Sequence, residues 1–218
     1  MQPTTIPPIT PALIAESMTY AQYMSLAKQR FADKLTTSDD PHYNTEQILG
    51  FTNVNFARIR RLEKTVLLTE SIKTALAAQQ RTWVWLVLVE SWCGDVAQTL
   101  PVMKHIADFS GKIELRLLLR DQHIDVIDAY RTNGGRSIPK LICLEADTLR
   151  ELGTWGPRPQ ALQAEMDVWK TQNLPFEEVI ERAHGWYAKD HTQHTQTELA
   201  TQIRAWAGSP VDSRLPTE

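Results

Sequence analysis

The sequence predicts an α/β fold: a layered domain with a central sheet flanked by helices, and extra N-terminal and C-terminal helices. Three observations predict it. Short apolar runs alternate with helical patterns through the middle of the chain in a β-α-β-α-β order. The first run, "WVWLVLVE", is uniformly apolar where a half-exposed strand would alternate, as expected for a strand covered on both faces. Amphipathic helical patterns precede and follow this region.

The first dozen residues, rich in Pro and Thr, read as an extended, poorly ordered lead. After Pro11 a helix is predicted, with Tyr20, Met24, Ala27, Phe31 and Leu35 at three- and four-residue steps, and "TTSDDPHYNTE" breaks it. A second helix starts at about Glu46, where Ile48, Phe51, Asn55, Ile59, Leu62 and Val66 share one face. Arg58, Arg60, Arg61 and Lys64 cluster on that helix and read as a solvated polar face, although a partner or phosphate contact is the alternative. "TESIKTALAAQQ" predicts a third helix, with Thr69 as N-cap and Glu70 in the first turn.

The strands are "WVWLVLVE", "IELRLLL" and "KLICLE", separated by a helix from about Cys93 to Phe109 and another around Ile124 to Arg131. "TLRELGTWG" adds a short strand, and Pro-Arg-Pro at 157–159 turns the chain into a further helix. One or two C-terminal helices follow, with Phe176, Val179, Ile180, Ala183, Trp186 and Tyr187 on one apolar face and Leu199, Ile203 and Trp206 beyond. The expected division is an N-terminal helical extension over 1–68, a central domain over 69–172, and a C-terminal helical extension over 173–218 packed on the core.

Composition narrows the function. With 42% hydrophobic and 22% charged residues the 218-residue chain is an ordinary folded protein, and a net charge of -3 gives no general reason to bind nucleic acid or an anionic membrane. The longest apolar run is too short to cross a bilayer, and the N-terminus lacks a basic start followed by a long apolar stretch, so a cytoplasmic location is expected. Two cysteines, Cys93 and Cys143, exclude a disulfide framework and a thiolate-rich zinc site. His191 and His194 form the closest histidine pair, but no third ligand accompanies them, so no metal site is expected.

Sulfur chemistry centres on "VESWCGDVAQTLP". A cysteine at the start of a helix faces free backbone N–H groups and the positive end of the helix dipole, which favour thiolate. Gly94 lets a substrate approach, while Asp95 adds a negative charge that opposes ionisation. The alternative is that Cys93 is a small buried residue.

"SWCGDV" resembles the active-site turn of the thioredoxin superfamily, Trp-Cys-Gly-Pro-Cys, and "GGRSIPKLICL" resembles its Ile-Pro landmark with a cis peptide bond leading into a strand. The likeness covers roughly Thr69 to Gln172 and implies a thioredoxin-like fold with a mixed sheet. "WCGD", "NGGRSIPKLI" and "GTWGPRP" also resemble a group of uncharacterised bacterial thioredoxin-like proteins. The resemblance makes Cys93 the nucleophile, Trp92 its aromatic neighbour, and Pro139 the cis-proline that presents the Ile138 peptide group to a substrate backbone. It also exposes departures: Val96 stands where the resolving cysteine would be, Val87 replaces the buried aspartate that handles protons, and Leu117 replaces its lysine neighbour.

Cys143 lies four residues beyond Pro139, about 13 Å along a strand, whereas a disulfide needs alpha carbons within about 7 Å; it reads as core. The likeness brings Arg120, Arg136, Trp155 and Arg158 to the border of the site. There an arginine would lower the thiol pKa or hold a substrate carboxylate; the alternative is that the arginines are surface residues, or that Arg120 pairs with Asp121 or Asp95. The expected function is single-cysteine thiol-disulfide exchange through a mixed disulfide at Cys93, on a disulfide-containing or oxidised-thiol substrate, protein or small molecule. No resident cofactor is expected; glutathione or another low-molecular-weight thiol would be the co-substrate. The rival is a non-catalytic binding module whose groove holds a peptide or protein partner, and the outer helices brace the domain or form a homodimer surface.

Overall fold

The computed structural model describes residues 9–209, so most of the extended lead expected at the N-terminus lies outside the described residues. Where the periodicity predicts one helix after Pro11 there are two, α1 (Pro11–Glu16) and α2 (Tyr20–Ala32). The interruption has a tertiary cause: Met18 exchanges backbone hydrogen bonds of 2.9 and 2.8 Å with Leu117, covering part of an otherwise open sheet edge. Thr19 then restarts the helix through a capping box with Gln22. After a 3-10 turn at Pro41–Tyr43, α3 (Glu46–Thr65) and α4 (Glu70–Ala77) are capped by Thr45 and Thr69, whose hydroxyls accept from backbone N–H groups one turn on.

Four strands, β1 (Trp83–Val89), β2 (Ile113–Leu119), β3 (Lys140–Glu145) and β4 (Glu151–Trp155), form one mixed sheet in the order β2-β1-β3-β4. β1 runs parallel to β2 and antiparallel to β3, and β4 is antiparallel to β3. Every residue of β1 is buried, as its uniform apolar run requires. Helix α5 (Gly94–Ser110) forms the parallel crossover between β1 and β2 and ends at Gly111, whose φ of 61° is the left-handed stop that glycine supplies. A 3-10 turn at Arg120–Gln122 leads to α6 (Ile124–Ala129), and β4 is followed by α7 (Gln160–Thr171), α8 (Phe176–Asp190) and α9 (Gln193–Ala207).

The outer helices are part of the core. Tyr23 of α2, Ile59 and Leu62 of α3, and Leu199, Ile203 and Trp206 of α9 are buried in one apolar cluster with the strands. Trp83 and Trp85, two residues apart and therefore on one sheet face, both meet the Trp206 ring edge-on at 6.2 Å. A second cluster of Leu162, Trp169, Ala183 and Tyr187 joins α7 to α8. Helix α8 also abuts the start of α5: a Cβ on Gly94 would come within 2.6 Å of the His184 ring. No helix among the described residues is long and apolar enough to cross a membrane.

Candidate functional site

β1 ends at Val89, and the next residues turn the chain into α5 with Cys93 as its N-cap. The Cys93 thiol makes no cap hydrogen bond of its own; its Sγ lies 3.3 Å from the carbonyl oxygen of Ile138, to which it donates. The Ile138–Pro139 bond is cis. The loop before β3 meets the end of β4 backbone to backbone, because Gly156 has a φ of 116° and a Cβ there would lie 2.2 Å from the Pro139 oxygen. Cys143, by contrast, is fully buried in mid-sheet between Trp85 and Gly153.

Two opposing influences act on the Cys93 thiol, and the unfavourable one wins. Burial, followed by the nearby Asp95 carboxylate, pushes its pKa from 9.0 up to about 12, against smaller favourable contributions from the Val96 and Asp95 N–H groups and Arg158. The Asp95 charge is held firmly: Arg158 donates to Oδ2 from Nε at 3.0 Å and Nη2 at 2.6 Å, and the Tyr187 hydroxyl donates to Oδ1 at 2.7 Å. The helix-end effect expected to favour thiolate is thus overruled by burial and by the Asp95 charge.

A family model described as Thioredoxin matches residues 43–170, more than half of the chain. The chain belongs to the thioredoxin family. Among solved structures, a protein of unknown function from Pseudomonas aeruginosa aligns at a TM-score of 0.50 with 17% identity, covering 85% of this chain and 97% of its own. An HIV epitope-scaffold crystal structure aligns at 0.48 with 17% identity, covering 85% and 98%. No curated protein matches the chain.

In this thioredoxin-family chain the sulfur stands in the wall of two cavities. The larger, about 890 Å³, is polar and is bordered by Trp92, Cys93, Asp95, Arg120, Arg136, Ile138 and Arg158 among others. The smaller, about 220 Å³, lies toward α3 and α8 and includes Gly94 and His184. Tyr43 and Trp92 line both, stacked at 4.2 Å between centroids, with the Arg120 guanidinium 4.7 Å from the Trp92 ring.

Most of the residues singled out in the sequence therefore converge, with two qualifications. Trp155, expected at the site border, borders neither cavity; it is buried and donates from Nε1 to Glu198 at 2.8 Å, facing α9. Pro139 lies behind Ile138 and leads into β3 without lining either cavity. The arginines come with partners: Arg120 pairs with Asp121, Arg136 with Asp128, and Arg158 with Asp95.

The surroundings of Cys93 also include residues that sequence reasoning missed. Glu90 is fully buried, accepts from the Thr37 hydroxyl and from the Asp121 N–H at 3.0 Å, and has its pKa pushed up to about 7, chiefly by burial. A buried carboxyl is therefore present three residues after Val87; an acid closing a run as apolar as "WVWLVLVE" is the available sequence signal. Thr37 and Ser91 exchange hydrogen bonds, Ser91 N–H to Thr37 Oγ1 at 2.9 Å and Thr37 N–H to Ser91 Oγ at 3.1 Å, strapping residues 36–38 over the turn. Asn55 donates to the Ser91 carbonyl at 3.0 Å. Arg58, read as part of a solvated face, lines the smaller cavity.

Proposed function

We propose that the protein is a single-thiol exchanger. Cys93 thiolate attacks one sulfur of a disulfide substrate, the S–S bond breaks, and the departing sulfur leaves as thiolate while a Cys93 mixed disulfide forms. With Val96 in place of a second cysteine, an external thiolate such as glutathione then attacks the mixed disulfide. Cys93 is released as thiolate, and the external thiol ends oxidised as a disulfide with the substrate fragment. The cycle needs a pool of reduced low-molecular-weight thiol, as the cytoplasm supplies.

The observation that carries this reading is the position of the sulfur: at the start of α5, 3.3 Å from the Ile138 oxygen, and in the wall of two cavities. Burial and the Asp95 charge keep the resting thiol almost entirely protonated at pH 7, which makes it a guarded nucleophile. The test is glutathione-dependent reduction of a small disulfide, with mass spectrometry of the Cys93 adduct and Cys93→Ser as control. Turnover and adduct that vanish in Cys93→Ser support exchange; turnover equal in both proteins, or no adduct, rejects it.

A second reading is favoured by the same high pKa together with the pairing of Arg120, Arg136 and Arg158 with aspartates. It is a thioredoxin-fold binding module whose groove holds a peptide or protein. A partner that binds Cys93→Ser as tightly as the unaltered protein, in the absence of turnover, distinguishes it.

A further inference from the structure

The smaller cavity beside Cys93 has an uneven charge balance. Its walls are largely apolar, with Ile48 and Phe51 from α3, Met166 from α7, and Ile180 and Ala183 from α8. Phe176, 60% exposed, also lines it. Besides the thiol and the Tyr43 phenol, four ionisable groups face it: Asp95, Arg158, His184 and Arg58. Asp95 and Arg158 cancel as an ion pair at 2.6 Å. His184 is kept neutral, its pKa lowered to about 4 by burial and by the nearby Arg58 charge.

Arg58 is left over. Its Nη1 donates to Asn55 Oδ1 at 2.9 Å, and no carboxylate among the described residues pairs with it, while burial and the neighbouring Arg61 both work against its charge. Arg120, Arg136 and Arg158, by contrast, each hold an aspartate. A part-buried guanidinium on an apolar wall is strongest when a planar anion meets it with two hydrogen bonds. An apolar cavity of about 150 Å³ is enough to hold benzene, so about 220 Å³ takes one aromatic ring and a short substituent.

From this combination of volume, apolar lining and one uncompensated guanidinium, we infer that the cavity is a binding site for a small aromatic carboxylate. Its ring rests among Ile48, Phe51, Met166 and Ile180, its carboxylate meets Arg58, and the ligand lies against Cys93. The inference goes beyond thiol exchange and stands without it, because recognition rests on Arg58 and the apolar wall.

The test uses the full chain and phenylacetate, with its neutral analogue phenylacetamide, in calorimetric titrations. Saturable phenylacetate binding is expected, about tenfold or more tighter than phenylacetamide, from the loss of a charge-assisted contact. Arg58→Gln is expected to weaken phenylacetate by a similar factor of about ten, while Arg61→Gln, an exposed neighbour outside the cavity, changes it less than about twofold. Arg58→Lys, which keeps the charge, retains binding between the two and covers the case in which Arg58→Gln misfolds. Bound phenylacetate is also expected to slow maleimide labelling of Cys93, which fixes the location. Equal affinity for acid and amide, absence of saturable binding, equal losses in Arg58→Gln and Arg61→Gln, or unprotected Cys93 would each overturn the inference. The calorimetric arm involves no sulfur chemistry, so its failure is separable from a failure of exchange.

Discussion

Replacing Asp95 by Asn and Arg158 by Gln breaks the same ion pair but moves the Cys93 thiol in opposite directions. Asp95→Asn removes the charge that, after burial, does most to raise the thiol pKa, and leaves the favourable Arg158 charge unopposed. Arg158→Gln does the reverse. A single charge at this range is worth about 1–2 pKa units, so the thiolate fraction well below the pKa changes about 10- to 100-fold. Intrinsic nucleophilicity changes the other way by roughly half that logarithm. The net expectation is alkylation about 3- to 10-fold faster in Asp95→Asn and slower by a similar factor in Arg158→Gln. The assay is a pH series of alkylation rates, with Cys143 silent because it is fully buried. With side chains only 18% and 13% exposed, each variant strands one charged partner, costing about 2–4 kcal/mol, so rates are read at low temperature on protein shown to be folded. Acceleration in both variants would mean that loosening of α8, and not charge, controls the thiol, and the electrostatic account would fail.

In the unaltered protein the alkylation rate is expected to climb about tenfold per pH unit from pH 7 to about pH 10 without a plateau, given a thiol pKa of about 12; a plateau near the ordinary thiol value would refute the burial argument. Glu90 titrates at about 7 when folded against an ordinary 4.5, so its protonated form adds stability that is complete below pH 4.5 and lost as pH rises through about 7. Glu90→Gln is expected to flatten that window and to gain about 3 kcal/mol more at pH 8 than at pH 4.5, read by urea unfolding at both values. Gly156→Ala, whose new Cβ would meet the Pro139 oxygen at 2.2 Å, is expected to lose about 3 kcal/mol or more and to disturb Cys93 labelling; a fully stable variant would show that the two loops can separate freely.

The sheet and most helices were legible because their signals are local: uniform apolar content for β1, helical periodicity for α3 and α8, and a threonine cap at residue 69. The break between α1 and α2 was only half legible: Met18 pairs with Leu117, far along the chain, but the Thr19 and Gln22 capping box was a local signal that the longer periodicity obscured. Trp155 shows a limit of resemblance, which locates a loop but not the direction of each side chain; its indole is committed to Glu198 of α9. Arg58 was hidden among Arg60, Arg61 and Lys64, although Phe51, Asn55, Arg58 and Leu62 step along one helical face and could have separated it from them. Thiol suppression was legible in part: the Asp95 charge beside Cys93 is visible in the sequence, whereas the larger contribution, burial, is a tertiary property that no short motif encodes.

The strap of residues 36–38 has a consequence for inheritance. Thr37, which completes the hydrogen bonding of Glu90 and Ser91, precedes the matched segment 43–170, and Tyr187, which grips Asp95, follows it. A chimera carrying only the matched segment would keep Cys93 with its neighbours Asp95 and Arg158 but lose the side chains that brace Glu90, Ser91 and Asp95. The charges beside the sulfur therefore travel with the segment, while the contacts that hold them in place do not.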